Sequence, residues 1–195
     1  MKCSWPPEWE AARKAALFAL EHAGSGELGP EARSALWRQV GPKHQEDAWR
    51  VRIQLARLTL QRVMHLWSGS MGSQIPALVL TELHAHSVVN AEARRRYGAW
   101  QAALDDLVVE ASGPDIWVGY CALRAYEVAL WDYWPTHVGA VLDTDLDPYE
   151  WDCSFYASMA YAGGAWWDEA SSKTKRVEFW TWWLEEAVPE EWGNR

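Results

Sequence analysis

The sequence predicts an all-α fold, a single-domain bundle of about seven or eight helices over residues 1–195. Three observations predict it. Apolar residues recur at the three-and-four spacing of a helix in each long segment. Pro and Gly clusters cut the chain into pieces of helical length, and no run alternates apolar and polar residues as a strand requires. At 195 residues the chain can bury a sizeable core within one domain.

Pro6 and Pro7 precede a pattern over residues 8–23 in which Trp9, Ala12, Ala16 and Leu20 share a face. Gly24-Ser25-Gly26 ends it, and Gly29-Pro30 opens a short helix that stops before Gly41-Pro42. Residues 44–67 form the longest periodic segment. Ala48, Val51, Leu55 and Leu58 make one apolar stripe, and Ile53, Ala56, Leu60, Val63, Met64 and Trp67 make its neighbour. So wide an apolar arc packs against more than one helix, which predicts a central position. A Gly/Ser loop over 68–73 follows, then a helix over about 76–90 with Pro76 tolerated in its first turn. Residues 91–111 continue as a helix whose Arg94-Arg95-Arg96 cluster is expected to face Asp105, Asp106 and Glu110.

Residues 114–133 are the most apolar helix, interrupted only by Arg124, Glu127 and Asp132, and therefore belong to the core. Asp147-Pro148-Tyr149-Glu150 has the chemistry of a helix start, with Asp as N-cap, Pro at the first position and Glu three after the cap. Ala157, Ala160, Gly163 and Gly164 in the helix that follows allow close backbone approach. The last helix covers 171–188, with Val177, Trp180, Trp183, Leu184 and Ala187 as its core stripe; Trp182 falls off that stripe.

Composition narrows the function. A formal charge of -9 argues against nucleic acid as a ligand, because phosphate contacts need clustered Lys and Arg, and it favours a basic partner surface or simply serves solubility. Three scattered cysteines, Cys3, Cys121 and Cys153, do not make a disulfide framework and read as free thiols in a reducing compartment. Residues 1–10 have no apolar run of the signal-peptide type, and no window is long and apolar enough for a membrane span, so the expected location is cytoplasmic. Sixteen tryptophans against three phenylalanines are unusual. Tryptophan joins a large apolar surface to one N–H donor, which suits both wet-rimmed cores and interface anchors.

Residues 138–172 hold Asp143, Asp145, Asp147, Glu150, Asp152, Asp168 and Glu169 and neither Lys nor Arg. Asp143-x-Asp145-x-Asp147 matches the opening of a calcium loop, but Pro148 stands at the glycine position and Ser154 where the bidentate Glu belongs. Helix capping accounts for Asp147 and Glu150 and leaves Asp143 and Asp145 to face a basic partner. A metal-dependent helical-bundle hydrolase is the alternative, with His65, Glu82 and His86 as ligands on packed helices. Against it, the chain has no helical His-Glu-x-x-His, no Gly-x-Ser-x-Gly and no phosphate-cradling glycine loop.

Trp151-Asp152-Cys153-Ser154-Phe155-Tyr156-Ala157, continuing through Ala160-Tyr161-Ala162-Gly163-Gly164, resembles the fifth Imm family of bacterial immunity proteins, which are encoded beside polymorphic toxins. The same holds for Phe179-Trp180-x-Trp182-Trp183-Leu184-Glu185-Glu186-Ala187-x-Pro189 and, more loosely, for residues 85–97 and 120–131. The resemblance covers about residues 48–192. It implies an all-α protein without catalytic residues or cofactor that binds and neutralises the toxic domain of a cognate toxin, often a nuclease in such systems. A non-enzymatic interaction module with another partner is the third reading. The residues expected to meet the partner are Asp143, Asp145, Trp151, Asp152, Trp166, Trp167 and Trp182, each of which competes with a role in capping or core packing.

Overall fold

In the computed structural model, residues 7–42, 44–68, 74–84, 91–108, 113–134, 136–137, 139 and 141–188 are described, and among them are eight α-helices and no strand. The helices are α1 (Pro7–His22), α2 (Pro30–Gln39), α3 (Glu46–Val63), α4 (Ile75–His84), α5 (Ala91–Val108), α6 (Pro114–Trp131), α7 (Cys153–Ala162) and α8 (Lys173–Trp182). Proline opens α2 and α6, where its missing N–H has no helical partner to lose. A left-handed residue, Asp132 or Gly163, closes α6 and α7. None of these helices is long and apolar enough to cross a membrane.

The most apolar helix is central, as its composition predicts: α6 packs against α3, α4, α5 and α7. Its wide-arced neighbour α3 also meets α4 and α7. Gly119 lets α5 approach α6, since a Cβ there would lie 2.7 Å from Leu104. Between α1, α2, α3 and α8 the core is built from tryptophan. Trp9, Trp37, Trp180 and Trp183 are each buried to 1% exposure or less, and removing a side chain of this size from water is worth about 2–3 kcal/mol. Trp37 meets Trp183 at 6.1 Å, and Trp180 meets Trp183 edge-on at 5.7 Å. The Trp183 indole N–H donates to Thr59 Oγ1 at 3.0 Å, so the polar corner of the ring is satisfied inside the core.

Among the buried arginines, Arg52 and Arg33 each occupy a helix position flanked by buried residues. Arg52 of α3 is fully buried and donates to both oxygens of Asp132, at 2.6 and 2.8 Å, and to the carbonyls of Gly41 and Pro42. Asp132 also accepts the His44 N–H, so one ion pair pins the α2–α3 turn to the end of α6. The second arginine, Arg33 of α2, is taken up below.

Three local expectations change. Arg96 does not reach down its own helix to Asp105 or Asp106. It pairs with Glu92 and with Glu82 of α4, while Asp105 accepts from Tyr120 and Tyr149; Glu110 lies outside the described residues. The capping box at Asp147–Glu150 forms, but on a separate 3-10 turn (Pro148–Glu150), and Asp152 is the residue that caps α7. The last helix is regular only to Trp182 and finishes as a π-helical turn over Trp183–Ala187.

Candidate functional site

The acidic, tryptophan-rich connection between α6 and α8 separates into an inner and an outer layer. Inside, Arg33 reaches from α2 to two carboxylates. Its Nη2 donates to Asp143 Oδ1 at 2.6 Å, its Nε to Asp152 Oδ2 at 2.7 Å, and its Nη1 to the Leu28 carbonyl at 2.5 Å. The guanidinium lies over the Phe155 ring, 4.7 Å from its centroid. Burial opposes charge on Arg33, but Asp152 and Asp143 more than offset it and hold the guanidinium protonated. Burial likewise works against the Asp152 carboxylate. Arg33, Ser154 and the Phe155 N–H prevail and leave that carboxyl below its ordinary pKa.

Asp143 and Asp152 therefore face inward, at 3% and 4% exposure, and are internal counter-charges rather than groups offered to a partner. Trp151 is also interior, at 8% exposure, with its indole N–H donated to the Asp143 carbonyl at 3.0 Å. The expectation that these three meet a partner directly is corrected by their burial. The cause is Arg33, a residue 110 positions or more from either aspartate.

Outside, the same connection presents Asp145, Asp147, Glu150, Asp168 and Glu169, all exposed, together with Leu142 at 55%, Tyr149 at 51% and Trp167 at 39%. Asp145 sits in a 3-10 turn (Asp143–Asp145) and accepts the Leu142 N–H. Trp167 leans on Trp151 at 5.8 Å and meets the half-buried Trp166 edge-on at 5.3 Å. The inner aspartates thus set the turn, and the outer ones carry exposed negative charge beside exposed apolar surface. Large exposed apolar groups next to one sign of charge are what a protein-binding face requires.

The tryptophan turn is held from several sides. The Gly164 N–H returns to Met159 O, the Asp168 carboxylate accepts the Ala165 N–H at 2.7 Å, and Ser171 Oγ donates to Ala165 O at 2.6 Å. Arg176 of α8 donates to Ser171 Oγ and to the Gly164 and Ser25 carbonyls. Gly164 has φ +155°, and a Cβ there would lie 2.8 Å from Asp168 Oδ2. Gly164→Ala is accordingly expected to lower stability by about 1–3 kcal/mol and to release the turn, read as a reduced thermal midpoint and faster hydrogen exchange at Ala165 and Trp166.

The remaining expected residues lie elsewhere. Trp182 is half-buried beneath the Arg62 guanidinium, 4.8 Å away, and contacts Phe179 rather than the Trp166–Trp167 pair. His65 is exposed in the 3-10 turn after α3, and Glu82 accepts from Arg96 and from the Tyr126 hydroxyl. His86 falls outside the described residues. Among the described residues no group of three or more His, Cys, Asp or Glu side chains is placed to hold a metal. Cys121 and Cys153 are buried free thiols, and burial raises the pKa of both.

Sequence reasoning passed over Arg33, Glu27 and Arg176. The signal for Arg33 is its register: it shares a helix face with Pro30, Leu36 and Trp37, all buried. A charge at such a position requires a buried partner.

No curated protein matches the chain. The family described as immunity protein Imm5 matches residues 14–190, a span that starts inside α1 and so includes α2 and Arg33, well before the residue-48 boundary expected from the sequence. With all eight helices wholly or partly inside that match, the chain belongs to the Imm5 family of immunity proteins, and its function is immunity against a toxin.

Proposed function

We propose that the protein neutralises its toxin by stoichiometric binding through the outer layer of the α6–α8 connection, and that the toxin surface it meets is basic. The observation that carries this reading is the set of exposed carboxylates, Asp145, Asp147, Glu150, Asp168 and Glu169, around exposed Leu142, Tyr149 and Trp167, in a stretch with no Lys or Arg from 138 to 172. A nuclease domain is the toxin class that fits best. Its substrate cleft is positive because it must hold phosphates, and an acidic partner gains both association rate and specificity there. Trp167 is the expected anchor, since a partly exposed ring already braced from behind needs little ordering on binding. The protein acts without catalysis, cofactor or nucleic acid of its own. The cytoplasm, where its two buried thiols remain reduced, is the place of action.

Co-expression tests the function directly. Cells producing the toxic domain encoded beside this gene should survive only when the intact immunity protein is present. The surface is tested with the same domain in a non-killing variant. Trp167→Ala should weaken binding at least about tenfold. Glu169→Gln together with Asp145→Asn should slow association and flatten its dependence on salt between about 50 and 500 mM, over which the Debye length falls severalfold. A salt-insensitive association rate in the unsubstituted protein would remove the acidic surface from the account.

A further inference from the structure

We infer that Arg33 is a positioning residue for toxin binding: it never reaches the surface, but it locks the docking layer into its binding shape. This rests on the surface assignment above. The geometry has two branches. One bond, from Arg33 Nη2 to Asp143, holds the 3-10 turn that carries Asp145. The other, from Nε to Asp152, fixes the residue whose carboxylate also accepts the Ser154 and Phe155 N–H groups at the start of α7. Between these two anchors lies Trp151. Its indole N–H is donated to the Asp143 carbonyl, and its ring lies behind that of Trp167, 5.8 Å between centroids.

Elsewhere the connection is held near its second turn, where the Pro148 carbonyl accepts from the Tyr156 hydroxyl and Tyr149 donates to Asp105. It contains two one-turn 3-10 helices, and the hydrogen bonds of the Asp145, Asp147 and Glu150 carboxylates among the described residues run within their own turns. The α1–α2 segment braces the neighbouring turn as well, since the Ser25 carbonyl accepts from Arg176, whose Nη1 holds Ser171 and the Gly164 carbonyl. The N-terminal helices thus contribute to binding without contacting the partner. A surface populated in its competent shape for only a fraction of the time binds more weakly by that same fraction.

The test uses Asp143→Asn, which keeps the side chain's size and leaves Arg33 its bonds to Asp152 and Leu28, so the bundle is expected to fold. Arg33→Lys is the second variant. Hydrogen exchange of residues 141–152 is measured beside that of α3 and α6, and binding is measured to the non-killing variant of the neighbouring toxin domain. The expected result is at least tenfold faster exchange in 141–152 with α3 and α6 unchanged, and at least tenfold weaker binding that appears mainly as slower association. A merely structural role would instead move α3 and α6 along with the connection. Unchanged exchange in 141–152 overturns the inference, and so does faster exchange with unchanged binding. In the second case Trp167→Ala identifies the failure: normal binding of that variant removes the surface itself, while weakened binding removes only its anchoring by Arg33.

Discussion

Replacing Arg33 by Leu is expected to destabilise the protein by about 3–5 kcal/mol, the range found when one partner of a buried ion pair is removed and the other charge is left behind. Against a typical total of about 5–15 kcal/mol this is a large fraction, and the thermal midpoint should fall by roughly 10–15 °C. The loss comes from the carboxylates rather than from the missing guanidinium. Asp143 and Asp152 are each almost fully buried, and Asp143 depends on Arg33 for its side-chain hydrogen bonds. Asp152 retains the N–H groups of Ser154 and Phe155. This asymmetry predicts a rescue. Arg33→Leu combined with Asp143→Leu should recover more than half of the lost stability in chemical denaturation, whereas Arg33→Leu combined with Asp152→Leu should recover less, because α7 then also loses its cap. Equal recovery by the two double variants would show that capping by Asp152 contributes nothing beyond the ion pair.

The same network explains which parts of the molecule were legible in the sequence. Helix identity was legible because it depends on local periodicity: α6 is apolar on nearly every side and is central, and α3 has two adjoining stripes and touches α4, α6 and α7. The capping chemistry at Asp147 was legible too, but its consequence was not. Asp147, Tyr149 and Glu150 make the hydrogen bonds their spacing predicts, yet the turn stops at Glu150, and Trp151 and Asp152 are extended. Asp152 is drawn inward by Arg33, 119 positions earlier in the chain, and α7 starts from it. No local pattern carries that information.

The candidate surface was half legible for a related reason. Counting carboxylates in residues 138–172 locates an acidic stretch but cannot tell which of them are spent inside. Burial removes Asp143 and Asp152, leaving Asp145 and the residues after it, with Tyr149 and Leu142 as apolar neighbours that the sequence did not single out. Arg33 and Arg52 show where such information is to be found. Each is an arginine in a helical register otherwise filled by buried residues, so each implies a buried carboxylate somewhere in the chain. The sequence position identifies the cation and leaves its partner open. The partners, Asp143 and Asp152 for one and Asp132 for the other, emerge only when the helices assemble.

Glu27 should make stability depend on pH in the direction opposite to an ordinary carboxylate. Burial pushes its carboxyl up to about 8 from the usual 4.5, against the pull of Arg33 and with the added repulsion of Asp143. Its oxygens accept from the Trp180 indole at 2.6 Å and the Ser158 hydroxyl at 3.0 Å, and Arg176 Nε lies 4.0 Å away. Charge counting agrees with a neutral Glu27. Arg33 and Arg176 balance Asp143 and Asp152, and ionising Glu27 would leave the group one negative charge in excess. A carboxyl whose folded pKa exceeds its unfolded one binds its proton more tightly when folded. Its contribution is therefore complete below about pH 4.5 and is lost as the pH rises through about 8. Glu27→Gln resembles the protonated form and cannot titrate. Measured by denaturation from pH 5 to pH 9, this variant should gain on the unsubstituted protein steadily, by up to about 1.4 kcal/mol for each unit of raised pKa. Asp152 does not confound the comparison, because its carboxyl lies below the ordinary range and stays ionised throughout that window. Parallel curves for the two proteins across that window would mean that Glu27 is already ionised in the fold at pH 5, and the charge balance proposed around Arg33 would have to be redrawn.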